Sequence, residues 1–145
     1  MPNQLERQVA ISGELPQRGH ALLVEDDELS AIYATTVLRH FGWEVSLAQD
    51  GDEAVKSAVD RGFDIIFMDC HLPVRNGLEA TKMIRIAELH ASGSGMRIVG
   101  LTASASSEER QQCLSAGMDD VLCKPFLVAE MLQMLHLWGP GRSAN

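Results

Sequence analysis

The stretch from Ile65 to Pro73 constrains the fold of this chain more than any other part of its sequence. Its apolar run, Ile65–Met68, is long enough for a strand and ends abruptly in the carboxylate of Asp69. Pro73 and Gly77 follow within a few residues and predict a loop. An apolar run without polar alternation is typical of a strand buried on both faces, as in a parallel sheet.

Other strand-like runs in the chain also end in chemically useful residues. They are Ala21–Val24 before Glu25 and Asp26, Arg97–Leu101 before Thr102, and Val121–Cys123 before Lys124. In open parallel sheets, functional groups collect just beyond the carboxyl ends of the strands. We therefore expect three acids, one hydroxyl and one amine at a single edge of the sheet.

Helix-like segments alternate with the strands along the chain. A further strand is predicted at Glu44–Ala48, and helices are predicted over 29–40, Asp52–Arg61, Leu78–His90, Ser107–Ala116 with Ser107 as N-cap, and Leu127–Trp138. This alternation predicts an α/β fold with a parallel sheet covered on both faces. We choose the flavodoxin-like (βα)5 strand order 2-1-3-4-5, because it opens a crevice beside strands one and three.

Length and composition favour a single domain. A chain of 145 residues suits one hydrophobic core. Residues 1–19 are polar and predict a linker or disordered segment, with a short helix at Leu5–Ile11. Residues 20–138 form the predicted domain, and the breaker cluster at 139–145 predicts a disordered tail.

Charge and hydropathy exclude several classes of function. The net charge is −8 and no basic cluster is present, so the chain alone is not expected to bind nucleic acid. No apolar run approaches a membrane span, and the N-terminus lacks the pattern of a signal peptide. Cys70, Cys113 and Cys123 show no paired spacing, which indicates reduced thiols in the cytoplasm.

The acids at the predicted strand ends indicate a metal site. Glu25, Asp26 and Asp69 would repel one another, and a divalent cation would relieve that repulsion. Magnesium fits best because it prefers hard oxygen ligands. Taken singly, each group has a simpler interpretation: acids favour helix starts, Thr102 would be a helix cap, and Lys124 would be solvated. Their joint placement favours the site.

The motifs together resemble the receiver domain of bacterial two-component response regulators, and the receiver domains of hybrid sensor kinases in particular. The segments that carry the resemblance are Leu23–Asp26, Met68–Gly77, Leu101–Ala103 and Lys124–Phe126. The resemblance implies a signalling phosphoacceptor that catalyses only its own phosphorylation and slow dephosphorylation. Its partner would be a histidine kinase or a histidine phosphotransfer protein.

The resemblance also implies a role for each site residue. Asp69 would take the phosphoryl group from a phosphohistidine. Asp26 and Asp69 would ligate Mg²⁺, with Glu25 acting directly or through water and His71 supplying its backbone carbonyl. Thr102 would hydrogen-bond the phosphoryl group and follow it inward as a switch, and Lys124 would pair with the group.

Val121 departs from the family pattern, which usually places Tyr, Phe or His at this switch position. Valine has no ring that could rotate between buried and exposed states. We therefore expect Thr102 to move on phosphorylation while the output surface changes only modestly. The apolar last helix would also suit a dimer or partner surface.

Other functions remain as alternatives. A pseudo-receiver would act only as a docking module, without phosphorylation. A phosphatase of the haloacid dehalogenase type also uses an Asp at a strand end, but it usually needs a second Asp where this chain has His71. A flavin-binding protein of the same fold would not place acids where the phosphate sits.

Overall fold

A computed structural model describes residues 18–91, 95–104 and 106–140 of the chain. The predicted linker up to residue 17, its short helix and the tail from residue 141 lie outside the described residues. The predicted domain limits therefore stay a prediction.

Five strands and five helices alternate as the sequence predicts. They are β1 (His20–Val24), α1 (Glu28–His40), β2 (Glu44–Ala48), α2 (Gly51–Arg61), β3 (Ile65–Asp69), α3 (Gly77–Leu89), β4 (Arg97–Thr102), α4 (Ser107–Ala116), β5 (Asp120–Cys123) and α5 (Val128–Trp138). All strand pairs are parallel, and the sheet order is β2-β1-β3-β4-β5. The flavodoxin-like α/β prediction and its strand order are confirmed.

The hydrophobic core lies in two layers, one on each face of the sheet. Successive strand residues point to opposite faces, so Leu22 and Ile66 face α2, α3 and α4, while Leu23 and Phe67 face α1 and α5. All residues of β3 are buried, as expected for a central strand covered on both sides. This packing fixes the carboxyl ends of β1 and β3 side by side.

Helix α1 carries apolar residues on two sides and turns only one of them to the core. Leu29 and Ile32 are exposed, whereas Ala34, Val37 and Leu38 are buried. Leu29 and Ile32 lie on the side of the helix opposite Ala34 and Leu38, and both sides carry apolar residues, so periodicity alone could not choose between them. The apolar residues left outside lie close to the carboxyl edge of the sheet.

The N-cap of α4 is Ser106, so the predicted cap at Ser107 is wrong by one residue. The Ser106 backbone is extended, and its side chain accepts a hydrogen bond from the Glu109 N–H. A cap residue needs this non-helical backbone, and the sequence presents two adjacent serines that both satisfy the composition rule. With Ser106 as the N-cap, Glu109 lies three residues after the cap, in the first turn of α4.

Candidate functional site

Three carboxylates converge where β1 and β3 end. Val24 pairs with Met68 across these strands, so the residues that follow are neighbours. One oxygen from each of Glu25, Asp26 and Asp69 lies within 4.8 Å of the others. Glu25 and Asp69 are each only 4% exposed, whereas Asp26 is exposed. The acidic cluster expected from the sequence is therefore present.

Lys124, which directly follows the edge strand β5, contacts the acidic cluster. Its Nζ lies 3.1 Å from Oε1 of Glu25 and 3.1 Å from Oδ2 of Asp69. Burial disfavours the lysine charge, but hydrogen bonds and attraction from the two carboxylates outweigh burial and raise the pKa of Lys124. Lys124 thus bridges two buried acids as a cation.

Glu25 is the acid of the cluster whose ionisation is perturbed. Burial, followed by its hydrogen bond with Asp69, raises the pKa of Glu25 to about 7, although Lys124 acts in the opposite direction. A single ammonium group therefore does not compensate the charge of this site fully.

The donor set suits a hard divalent cation. All three clustered ligands are carboxylate oxygens, and the exposed Asp26 leaves the cluster open to water. Magnesium prefers a few carboxylates and several retained waters to an enclosed protein cage. The residues present therefore fit Mg²⁺.

The backbone after β3 holds Asp69 in place. Oδ1 of Asp69 accepts a hydrogen bond from the His71 N–H at 2.9 Å. A Cβ on Gly77 would lie 2.1 Å from the Asp69 carbonyl oxygen, so only glycine permits α3 to start so close to β3. With Lys124 on Oδ2, both oxygens of the Asp69 carboxylate have fixed partners.

Thr102 lies at the end of β4, and its hydroxyl contacts Glu109, a residue that the sequence analysis did not identify. Thr102 Oγ1 donates to Oε1 of Glu109 at 2.5 Å. The His71 ring lies on the same oxygen, with Nε2 at 3.2 Å, and its side chain is 72% exposed. The hydrogen bond from Thr102 is the main cause that lowers the pKa of Glu109; burial opposes it, and the hydrogen bond from His71 adds to the lowering. The Ser-x-x-Glu pattern of 106–109 was the available sequence signal.

Val121 and the cysteines are the remaining residues that the sequence analysis considered. Val121 is partly buried on β5 and packs against the core layer that faces α2, α3 and α4. Cys70 and Cys113 are buried with their Sγ atoms 3.4 Å apart, and burial followed by the Cys113 contact raises the pKa of the Cys70 thiol. Free, buried and protonated cysteines behave as small apolar residues.

Comparison with known proteins shows the family of the chain. Residues 21–136 match the model of the response regulator receiver domain. The chain belongs to the receiver domain family. Receiver domains of this kind occur in hybrid histidine kinases and phosphorelay proteins, so the phosphoacceptor function expected from the sequence is confirmed at the level of the family.

Curated relatives of this receiver domain are large hybrid kinases. Hybrid signal transduction histidine kinase E of Dictyostelium discoideum is 41% identical over 86% of this chain and 7% of its own length. Sensor protein GacS of Pseudomonas syringae is 34% identical over 81% of this chain and 13% of its own length. The chain thus spans a small part of the relatives it matches. Among the described helices, none has the length and hydrophobicity needed to cross a bilayer.

Solved structures similar to this receiver domain carry relevant ligands and partners. The receiver domain of sensor histidine kinase PA1611 from Pseudomonas aeruginosa PAO1, solved with Mg²⁺ in its active-site cleft, is 39% identical with a TM-score of 0.74, covering 84% of this chain and 98% of that one. The receiver domain of Saccharomyces cerevisiae Ssk1, solved with the phosphotransfer protein Ypd1, is 32% identical with a TM-score of 0.83, covering 87% and 92%.

Proposed function

We propose that Asp69 accepts a phosphoryl group from the phosphohistidine of a partner protein, with Mg²⁺ held by Glu25, Asp26 and Asp69. The observation that carries this proposal is the buried Asp69 carboxylate, whose Oδ2 lies 3.1 Å from Lys124 Nζ within a cluster of three acids. The Mg²⁺ in the related PA1611 receiver domain supports the cofactor. The backbone carbonyl of His71 is a fourth proposed ligand.

The transfer exchanges one covalent bond for another. A carboxylate oxygen of Asp69 bonds to phosphorus as the phosphorus–nitrogen bond to the donor histidine breaks, and the ring nitrogen keeps the electron pair. Bound Mg²⁺ would neutralise charge on the phosphoryl oxygens. Positioning and charge stabilisation dominate phosphoryl transfer, and the His71 N–H and Lys124 position the Asp69 carboxylate for it.

Lys124 and Thr102 act on the phosphorylated carboxylate. Lys124 can stay paired with the added negative charge, and at an effective dielectric of about 20 one such pair about 4 Å apart is worth about 4 kcal/mol. Thr102 would donate its hydroxyl to a phosphoryl oxygen. The chain thereby catalyses only its own phosphorylation and slow dephosphorylation, and it acts as a signalling element.

The partner surface lies on the exposed side of α1, next to the cleft. Leu29 is 78% exposed and Ile32 is 54% exposed, and Leu127 at the start of α5 is 68% exposed. Tyr33 ties α1 to the segment after Lys124 by donating a hydrogen bond to the Phe126 carbonyl at 3.0 Å. Because this apolar surface borders the phosphoacceptor site, a histidine phosphotransfer protein is its proposed occupant; the Ypd1–Ssk1 complex supports that class of partner.

The partner surface can be tested separately from the chemistry of the site. Leu29→Asp should slow phosphotransfer from a phosphorylated histidine phosphotransfer protein and leave labelling by acetyl phosphate unchanged. Leu89→Asp, at an 83% exposed leucine at the end of α3, is the matched control and should change neither rate. Equal slowing by both variants, or by neither, would exclude α1 as the docking surface.

Intact mass measurement tests the phosphoacceptor proposal. The folded protein, incubated with Mg²⁺ and acetyl phosphate, should gain one phosphoryl group, and Asp69→Asn should gain none. Omission of Mg²⁺ should also prevent the gain. A folded protein that gains nothing under these conditions would be a docking module that acts without phosphorylation.

Cellular location and oligomeric state are the remaining parts of the proposal. We propose that this domain acts in the cytoplasm together with a histidine kinase or phosphotransfer protein, and that it makes no nucleic-acid contacts of its own, because the chain has a net charge of −8 and no basic cluster. Exposed Leu137 on α5, together with Leu127, leaves a dimer through the last helix as a proposal. Sedimentation velocity with and without phosphorylation tests it, and a monomer in both states would exclude the dimer.

A further inference from the structure

We propose that Glu109 is a positioning residue that holds the Thr102 hydroxyl away from the phosphoacceptor in the unphosphorylated protein. This inference rests on the proposed function, because it concerns which acceptor the Thr102 hydroxyl serves. Phosphorylation would then require Thr102 to leave Glu109 for a phosphoryl oxygen on Asp69. The cost of breaking the hydrogen bond between Thr102 and Glu109 would oppose the active arrangement.

The hydrogen bonds of Thr102 carry the first step of the argument. A threonine hydroxyl has one proton to donate, and Thr102 gives it to Oε1 of Glu109 at 2.5 Å. The same hydroxyl accepts the Ser104 N–H at 3.3 Å. Thr102 is 1% exposed, so no water competes freely for this proton. The hydroxyl cannot donate to Asp69 while it is bonded to Glu109.

The Glu109 side chain does not complete the capping box that the Ser-x-x-Glu sequence of 106–109 predicts. In a Ser-x-x-Glu capping box, the glutamate carboxylate bonds the backbone N–H of the cap serine. Ser106 does accept the Glu109 N–H at 3.2 Å, but the Ser106 N–H donates to Ser104 Oγ instead. The Glu109 carboxylate is thereby free to bond Thr102 and the His71 ring.

The strand register explains why this bond matters for the site. Asp69 pairs with Leu101 across β3 and β4, so Thr102 follows directly at the same edge of the sheet. His71, two residues after Asp69, lies on the same Glu109 oxygen. A single carboxylate therefore holds both a hydroxyl donor and a side chain that flank the phosphoacceptor.

The test compares Glu109→Gln with Glu108→Gln. Glu108 is an exposed acid of the same first helical turn, so its variant removes the same charge without touching Thr102. Because a hydrogen bond to a charged acceptor is about twice as strong as one to a neutral acceptor, Glu109→Gln should bind beryllofluoride in the presence of Mg²⁺ about fivefold more tightly than the unsubstituted protein. Fluorine NMR titration measures the bound fraction, and Glu108→Gln should match the unsubstituted protein.

Substitutions at Thr102 distinguish release of its hydroxyl from a general effect of charge at position 109. In Thr102→Val the Glu109→Gln gain should disappear, and in Thr102→Ser, which keeps the hydroxyl, the gain should remain. Equal affinities of Glu109→Gln and Glu108→Gln, or a gain that survives in Thr102→Val, would overturn the positioning role. Failure of every folded variant and of the unsubstituted protein to bind beryllofluoride would overturn the proposed function as well.

Discussion

Glu25 would link the proposed Mg²⁺ binding at this site to pH. Its pKa of about 7 in the metal-free protein means that the carboxyl carries a proton below that pH, and a metal ligand must release it. Apparent Mg²⁺ affinity should therefore fall as pH falls below 7, by about tenfold for each pH unit. Isothermal titration at about pH 6 and about pH 8, in buffers of different ionisation enthalpy, measures the affinity and the released proton.

The control for this pH dependence is Glu25→Gln, which keeps the shape of the side chain but cannot titrate. That variant should bind Mg²⁺ weakly and with little dependence on pH across this range. A pH dependence of the same size in Glu25→Gln would assign the titration to a different group.

Lys124 stabilises the protein by pairing its positive charge with two buried acids, Glu25 and Asp69. Lys124→Met would leave Glu25 and Asp69 without their cation, and loss of one partner of a buried pair is strongly destabilising. Because the Lys124 side chain is 23% exposed, we expect a loss of about 2 kcal/mol in the free energy of unfolding, less than for a fully buried pair. Chemical denaturation without metal measures this loss.

Added Mg²⁺ distinguishes this explanation from a simple loss of packing. Mg²⁺ should stabilise Lys124→Met more than it stabilises the unsubstituted protein, because the cation would replace the missing charge. Lys56→Met, at an exposed lysine of α2, is the matched control. Lys124→Met that is as stable as Lys56→Met would show that the bridge contributes nothing.

The loop after β3 stores backbone strain at Val74. This residue has φ of 68° and is 79% exposed, and the Arg75 N–H donates to the Pro73 carbonyl at 2.7 Å, as in the strained form of the γ-turn. A positive φ is a genuine outlier for a β-branched side chain, whereas Asn adopts a positive φ several-fold more often. Val74→Asn should therefore raise the free energy of unfolding by about 0.5–1 kcal/mol.

Thermal or chemical unfolding measures the effect of Val74→Asn. Val59→Asn provides the comparison, because Val59 is also exposed but lies in the regular helix α2. We expect no stabilisation from Val59→Asn. A destabilised Val74→Asn would show that Val74 makes contacts worth more than its strain.

At the level of β5 and α5, Val121 limits the expected response to phosphorylation. Val121 packs against the core and has no ring to exchange between two positions. We expect amide shifts at Thr102 and in its loop, with small changes through β5 and α5. Backbone NMR with and without beryllofluoride measures them, and large shifts throughout β5 and α5 would contradict the prediction.

The elements and their order were predictable because each follows from local chemistry. Buried apolar runs such as Ile65–Met68 indicate a central strand. Proline and glycine residues mark the loops after the strands, where functional groups of parallel sheets lie. The side that α1 turns inward was not predictable, because apolar residues such as Ile32 and Leu38 lie on both sides of the helix. Only packing against β1 decides between the two sides.

The candidate site was predictable as a set of residues but not as a network. Strand order alone brings Glu25 and Asp69 together. Lys124 reaches them from β5, which is two strands from β3, and that reach depends on side-chain length and direction. The Thr102–Glu109 bond depends on the turn that joins β4 to α4, which propensity rules do not specify.

The whole molecule combines a net charge of −8 with a cleft that must accept further negative charge. An added phosphoryl group would bring about −1.5 to −2 charges near pH 7 if it resembles other phosphorylated side chains. Lys124 and a bound divalent cation would be the local compensation for this charge. The whole account therefore depends on Asp69 as the residue that is modified.

Location of the phosphoryl group tests this central claim most directly. The protein is phosphorylated with acetyl phosphate and Mg²⁺, reduced with borohydride so that an acyl phosphate becomes an alcohol, and digested for peptide sequencing by mass spectrometry. The account predicts homoserine in place of aspartate at position 69 and at no other acid. Reduction at Asp26 or elsewhere, with Asp69 unmodified, would contradict it.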